Sequence, residues 1–171
     1  MSIVSQTATP AYPGRRWAAR LYSGTPARTA QVRVDMREDL AELGGITNDL
    51  VDSATLCASE AFANAVAHSR SGLPHGTVMR ILSTPVVTTR ETTLRLSVID
   101  DGPVDSRPMI PAQRTAEEWE GAERGRGLLL INHLATEWGT QRWAGTGTGI
   151  DRVLGTVIWA EFVYSTLRET A

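Results

Sequence analysis

The chain has 171 residues, a formal net charge of −2 and a pI near 5.9, which supplies no basic field for nucleic acid. All 17 basic residues are Arg, so no phosphate loop built on a lysine can exist, and the single Cys57 excludes an internal disulfide framework or a multi-cysteine metal site. No apolar run approaches the ~20 residues of a membrane span and no signal-peptide core opens the chain. One cytoplasmic domain, binding neither nucleic acid nor membrane, is expected.

Residues 1–13, with Ser, Thr and two Pro, read as a loose, flexible tail. Arg15–Tyr22 (RRWAARLY) is a strand candidate. Thr25-Pro26 opens a helix by the cap-then-proline rule, and Gly44-Gly45 stops it after Leu43. Val32, Met36, Leu40 and Leu43 form its apolar stripe; Arg33, Arg37, Glu38 and Asp39 read as ordinary solvated charges. A second helix runs from about Thr47, a plausible N-cap, to Ser69. Thr77–Leu82 and Thr92–Ile99 read as strands with Ser83–Glu91 as the loop between them. Residues 102–122, rich in Pro, Gly and Glu, suit a mobile loop. Gly127–Ala135 reads as a short helix. Trp138–Trp143 and Val153–Tyr164 then close the chain as strands around a Gly/Thr-rich turn. The order β-α-α-β-β-loop-α-β-β predicts an α+β fold, a two-layer sandwich with helices on one face of a mostly antiparallel sheet.

Three stretches carry chemistry. The first is C-A-S-E-A-F-A-N-A-V-A-H-S, residues 57–69. Steps of 100° put Glu60, Asn64 and His68 along one ridge of a helix that is apolar on nearly all sides. A buried carboxylate costs several kcal/mol unless something pairs with it, and a metal–phosphate group is the candidate. Cys57, in mid-helix, reads as a small core residue. The second stretch is L-R-L-S-V-I-D-D-G-P. Leu94, Leu96 and Val98 alternate onto one face, and the period of two carries Asp100 to that face and Asp101 to the other. An inward carboxylate at a strand end suits a flat donor such as an exocyclic amine, and Gly102 lets that ligand approach the backbone. Asp101 is left as turn chemistry. The third is G-A-E-R-G-R-G-L-L-L, residues 121–130. Gly125 and Gly127 precede an apolar helix whose free N–H groups suit phosphate, with Arg124 and Arg126 adding charge. The G-T-G-T-G loop at 145–149 lies between strands and reads as a hairpin turn.

Together these stretches resemble the ATP-binding fold of gyrase, sensor histidine kinases and MutL, the GHKL or Bergerat superfamily. E-A-F-A-N-A-V-A-H at 60–68 is similar to its N box, D-D-G-P at 100–103 to the start of its adenine box, G-R-G-L at 125–128 to its lid-to-helix box, and G-T-V-I-W at 155–159 to its last glycine box. The resemblance covers about residues 15–164 and is strongest to the stand-alone, RsbW-like anti-sigma-factor kinases. It implies a single ATP-binding domain over 14–171 that uses ATP and Mg²⁺. It implies that Asn64 binds the metal through its side-chain oxygen. Glu60 would be the general base towards the γ-phosphate. Asp100 would accept from the adenine amine, with Thr156 supporting it through a water. The N–H groups of Gly125, Arg126, Gly127 and Leu128 would hold phosphates, with Arg124 or Arg126 offsetting charge. His68 fits the motif without a defined role. The implied partners are an anti-anti-sigma (STAS-type) protein, a sigma factor and, by analogy with relatives, a second copy in a homodimer.

The sequence departs from the family pattern in three places. Val104 follows Pro103 where the adenine box has a second glycine, the segment before Gly125 is short and Pro-rich, and the closing Gly/Thr-rich hairpin is longer than the family pattern leads one to expect. Three functions are compatible with the motifs: a Ser/Thr kinase acting on the STAS-type partner, an ATP-binding partner-switching module without transfer, and a detached histidine-kinase catalytic domain. Glu60 together with Asn64 favours the first, because binding alone needs no base. A chain that begins directly at the first strand, with no dimerisation–phosphoacceptor helix pair, is expected to disfavour the last.

Overall fold

The computed structural model describes residues 11–104, 126–144 and 153–166. Strand β1 is Ala11–Tyr12 and β2 is Arg20–Ser23, followed by a 3-10 turn at Pro26–Arg28 and helix α1, Thr29–Ala41. Helix α2 spans Asn48–His68 and ends in a second 3-10 turn, Arg70–Gly72. Strands β3 (Thr77–Thr88) and β4 (Glu91–Ile99), helix α3 (Arg126–Leu134), and strands β5 (Glu137–Ala144) and β6 (Val153–Ser165) complete the order. The six-stranded sheet runs β1-β3-β4-β6-β5, with β2 pairing β3 on the same side as β1. Every pairing is antiparallel. The expected α+β sandwich is the observed fold.

Residue order explains the layers. Leu94, Leu96 and Val98 of β4 stand opposite Phe162, Ala160 and Ile158 of β6, and all six are buried under the helices. Alternation along the strands builds that face. α2 packs against both α1 and α3 and against β3, β4 and β6, so it is the central helix. Its inward side is mostly small, with Ala54, Cys57, Ala58, Ala61 and Ala65 all buried, which lets a helix lie close to the sheet. Phe62 fills the remaining gap and meets Tyr22 of β2 edge-to-face, with ring centroids 5.9 Å apart. Thr47 caps α2 by accepting from Leu50 N–H at 3.3 Å. No helix among the described residues is long and apolar enough to cross a membrane.

Several boundaries differ from the sequence expectation. Ala11–Tyr12 fall within the expected tail yet pair with Thr88 and Val87 of β3; residues 1–10 lie outside the described set. The first strand is regular only over Arg20–Ser23. Before it, Trp17 N–H bonds to Leu82 C=O and Thr84 N–H to Arg15 C=O, which lines residues 15–17 along β3 without a continuous ladder. β3 reaches Thr88 rather than Leu82, because Pro85 sits in a register irregularity between Ser83 and Val86. A proline cannot donate to a ladder, and a bulge removes the need. The connection to β4 shrinks to Thr89 and Arg90, closed by Thr88 Oγ1, which accepts from Glu91 N–H at 2.9 Å.

Asp39 overturns another expectation. It is buried, not solvated, and pairs with Arg80, a β3 side chain only 2% exposed. Arg20 also donates to Asp39, at 2.6 and 3.0 Å. Asp35, likewise buried, accepts from Tyr22 Oη at 2.9 Å and from Gln31 at 2.6 Å. Burial opposes ionisation of Asp39, but the two guanidinium groups prevail and hold its carboxyl below the usual range. A buried charge is retained only when it is paired, and here α1 is tied to β2 and β3 through those pairs.

Candidate functional site

The Glu60–Asn64–His68 ridge runs along α2 towards its C-terminal end. It is less enclosed than its composition suggests. Glu60, Asn64 and His68 are half-buried, and Ala63 and Ala67 beside them are exposed. Alanine reads as apolar in a count yet sits at a surface at little cost. The first turn of α3 lies over the ridge. A Cβ added at Gly127 would meet Glu60 Oε2 at 2.7 Å and Asn64 Nδ2 at 3.4 Å. Only a residue without a side chain lets the opening turn of α3, with N–H groups that have no acceptor within the helix, come so near the carboxylate. Asn64 Nδ2 is buried and has no hydrogen-bond partner among the described residues. A side-chain amide presents either its N–H₂ or its oxygen there by turning over.

The second part of the site is the end of β4. Asp100 is 8% exposed, on the helix-facing side that the alternation through Leu94, Leu96 and Val98 assigns to it. Its Oδ1 accepts two backbone N–H bonds at 2.8 Å, from Gly102 and from Thr156. The Asp100 N–H donates to Thr156 C=O at 3.0 Å. Both bonds to Thr156 are made by its backbone. Oδ2 has no hydrogen bond among the described residues. Burial pushes the carboxyl up, against the pull of the two N–H groups, and the neighbouring Asp101 charge adds to the rise. Gly102 takes φ 91°, the left-handed region open to glycine. Gly155 is a residue that sequence reasoning missed as a site candidate: a Cβ there would lie 2.0 Å from Asp100 O, so the close approach that brings Thr156 N–H to the carboxylate requires glycine. Its position directly before Thr156 was the available signal.

The two parts are joined where α2 ends. Ser69 bridges Pro103, and Arg70 N–H donates to Gly102 C=O at 2.9 Å. Of the remaining candidates, Arg126 is exposed at the start of α3 and Leu128 is buried in the core beneath it. Arg124, Gly125, most of the 102–122 loop and the 145–149 turn lie outside the described residues. His68 ends α2 and has no hydrogen bond among the described residues. Cys57 is buried and its thiol is pushed up to about 12 by burial and the Glu60 charge, which leaves it inert.

This donor set fits a nucleotide with its metal. An unpartnered amide and a carboxylate face a helix start that glycine leaves open, and a one-sided carboxylate waits at the strand end. Among the described residues no group of three His, Cys, Asp or Glu side chains forms a metal cage. Asn64, as the family resemblance implies, is the side chain that would meet a Mg²⁺ carried by phosphate and water oxygens.

Asp100→Asn separates recognition from stability. Its amide must still accept from the two N–H groups with its oxygen, and then presents a donor where Oδ2 was an acceptor. ATP binding is expected to weaken by roughly tenfold to a hundredfold in calorimetry. Because the native pKa is raised, the protonated form of Asp100 is the stabilising one and that contribution is lost as pH rises through the native pKa. At neutral pH the neutral amide is thus expected to leave the melting temperature of the free protein unchanged or higher. Unchanged ATP affinity would remove Asp100 from the site.

No curated protein matches the chain. The family model of the histidine kinase-like ATPase domain matches residues 22–153, a span that holds both parts of the site up to the start of β6. The chain belongs to the histidine kinase-like ATPase family and carries its ATP-binding domain.

Proposed function

We propose that this protein is an ATP-dependent Ser/Thr protein kinase of the partner-switching kind, an anti-sigma factor that phosphorylates a STAS-type anti-anti-sigma protein and otherwise sequesters a sigma factor. The observation that carries the reading is the pairing of Glu60 with the unpartnered Asn64 amide under Gly127. Asn64 alone would serve binding. A carboxylate beside it is the group needed to take the proton from a Ser or Thr hydroxyl as that oxygen attacks the γ-phosphorus and ADP leaves. Asp100 Oδ2 accepts from the adenine amine. The N–H groups at the start of α3 hold phosphate oxygens, with Arg126 adding charge. Mg²⁺, when bound, supplies charge neutralisation across the phosphates.

The test is ATP affinity by calorimetry with and without Mg²⁺, on wild type and Asn64→Ala. Wild type is expected to bind in a metal-dependent manner, and the variant to lose at least about a hundredfold because its metal ligand is gone. Metal-independent binding, or equal binding by the variant, would refute the assignment. Transfer of γ-phosphate to a Ser or Thr of a STAS-domain protein then tests the kinase reading itself.

A further inference from the structure

Asp101, adjacent to Asp100, is not merely a turn residue. Its backbone N–H donates to Ser71 Oγ at 2.9 Å, and the Ser71 hydroxyl donates to Thr77 C=O at 2.6 Å. Thr77 N–H returns to Asp101 Oδ2 at 2.6 Å, with the Thr77 hydroxyl at 3.2 Å from Oδ1. These bonds close a ring of three residues. Ser71 is fully buried, and its own N–H donates to Ser69 Oγ at 3.0 Å. The Ser69 hydroxyl in turn donates to Ala65 C=O in the last turn of α2, at 2.6 Å. Arg70 Nε adds a bond to Asp101 C=O at 3.2 Å.

We infer that Ser71 and Asp101 are positioning residues that aim the Asp100 carboxylate at the nucleotide base and set its distance from the α2 ridge. Asp100 continues directly from β4, along which successive side chains point to opposite sides, and the chain bends at Asp101. Drawing the Asp101 carboxylate down onto Thr77 therefore turns Asp100 the other way, into the site. The bonds through residues 69–71 tie that aim to the last turn of the helix bearing Glu60 and Asn64. One end of the site recognises the base and the other the phosphates, so a single short segment sets the spacing between them. Loss of the ring leaves Asp100 held by its own bonds to Gly102 and Thr156 N–H but no longer fixed against the end of α2, and the 6-amino group of adenine meets a displaced acceptor.

This inference rests on the ATP reading, and its test separates the two. Affinities for ATP and for purine riboside triphosphate, which lacks the 6-amino group, are measured with Mg²⁺. Wild type is expected to prefer ATP by about tenfold or more, because a site built to bond an amine rejects the analogue without it. Ser71→Ala and Asp101→Ala are expected to weaken ATP while leaving the analogue unchanged, so the preference falls to about threefold or less. Asp101→Asn, which still accepts from Thr77 N–H, restores most of it. Thr77→Val, a near-isosteric change that removes the hydroxyl bond to Asp101 Oδ1 while the backbone ring stays closed, lowers it by a smaller factor. Val32→Ala, which weakens the α1 core without touching the turn, keeps the wild-type preference while lowering the melting temperature. A preference unchanged in Ser71→Ala, Asp101→Ala and Thr77→Val overturns the inference alone. Failure of wild type to bind ATP overturns it together with the nucleotide reading.

Discussion

Glu60→Gln is expected to leave Mg-dependent ATP affinity within about threefold of wild type while phosphoryl transfer falls by about 10²–10⁴-fold. The substitution keeps the shape that packs under Gly127 and removes only the ability to accept a proton. The affinity should hold because Asp100 and the start of α3 make their contacts elsewhere, and because Asn64 is untouched. The rate should fall because no other carboxylate stands on the ridge: the neighbours of Glu60 one turn away are Leu56 and Asn64. Single-turnover transfer from ATP to the protein substrate, measured beside calorimetry, gives both quantities. A variant that transfers phosphate as fast as wild type would show that Glu60 is not the base and would leave an ATP-binding module as the better reading.

The second large effect concerns stability. Asp39→Ala removes the carboxylate paired with Arg80, and Arg80 Nε already has no partner of its own among the described residues. What remains is a guanidinium buried beside Met36 Sδ and the neutral Tyr22 hydroxyl, with no carboxylate bonded to it among the described residues, and stranding a buried charge costs about 3–5 kcal/mol. For a chain of this size the melting temperature should drop by roughly 10 °C. The double variant Asp39→Ala/Arg80→Met should recover most of that loss, since a buried pair replaced by apolar atoms is close to neutral. Thermal unfolding of the three proteins decides the matter; a double variant no better than the single one would contradict the pairing argument. The same pair gives a pH dependence. The native pKa of Asp39 lies below its unfolded value, so its stabilisation is present above the unfolded pKa and disappears as pH falls through the native one. The stability of wild type should therefore decline on acidification more steeply than that of the double variant.

Both central features of the site could be read from local sequence. Thr47 as a cap followed by a helical period places Glu60 and Asn64 one turn apart, and Leu94-x-Leu96-x-Val98-x-Asp100 places a carboxylate on the helix-facing side of a strand. Each is a short-range rule with one outcome. Asp39 shows where such reading stops. It shares a stripe with Val32, Asp35, Met36 and Leu40 at steps of three and four, yet a charged residue between Glu38 and Leu40 looks solvated until its partner is known. That partner, Arg80, lies on a distant strand, where alternation between Val78 and Leu82 would have marked it as inward. β3 outruns its expected end for a related reason. Pro85 signals a turn locally, and only partners elsewhere in the chain, the carbonyl of Arg15, β1 and the start of β4, reveal that the strand goes on. Ser71 carries no local signal, because its role depends on closing a ring with Thr77 and Asp101.

The irregular segment from Ala11 to Ser23 has a consequence for solubility. β3 is twelve residues long, and an edge strand of that length, left bare, is a template for pairing with other chains. Tyr12, Arg16 and Arg20–Ser23 instead cover that edge piecemeal through short pairings and an isolated bridge, while Trp17 is tucked inward. Among the described residues the outermost ribbon on this side is thus too broken to make a regular template for a further strand, and the segment blunts that edge of the sheet against pairing with other chains.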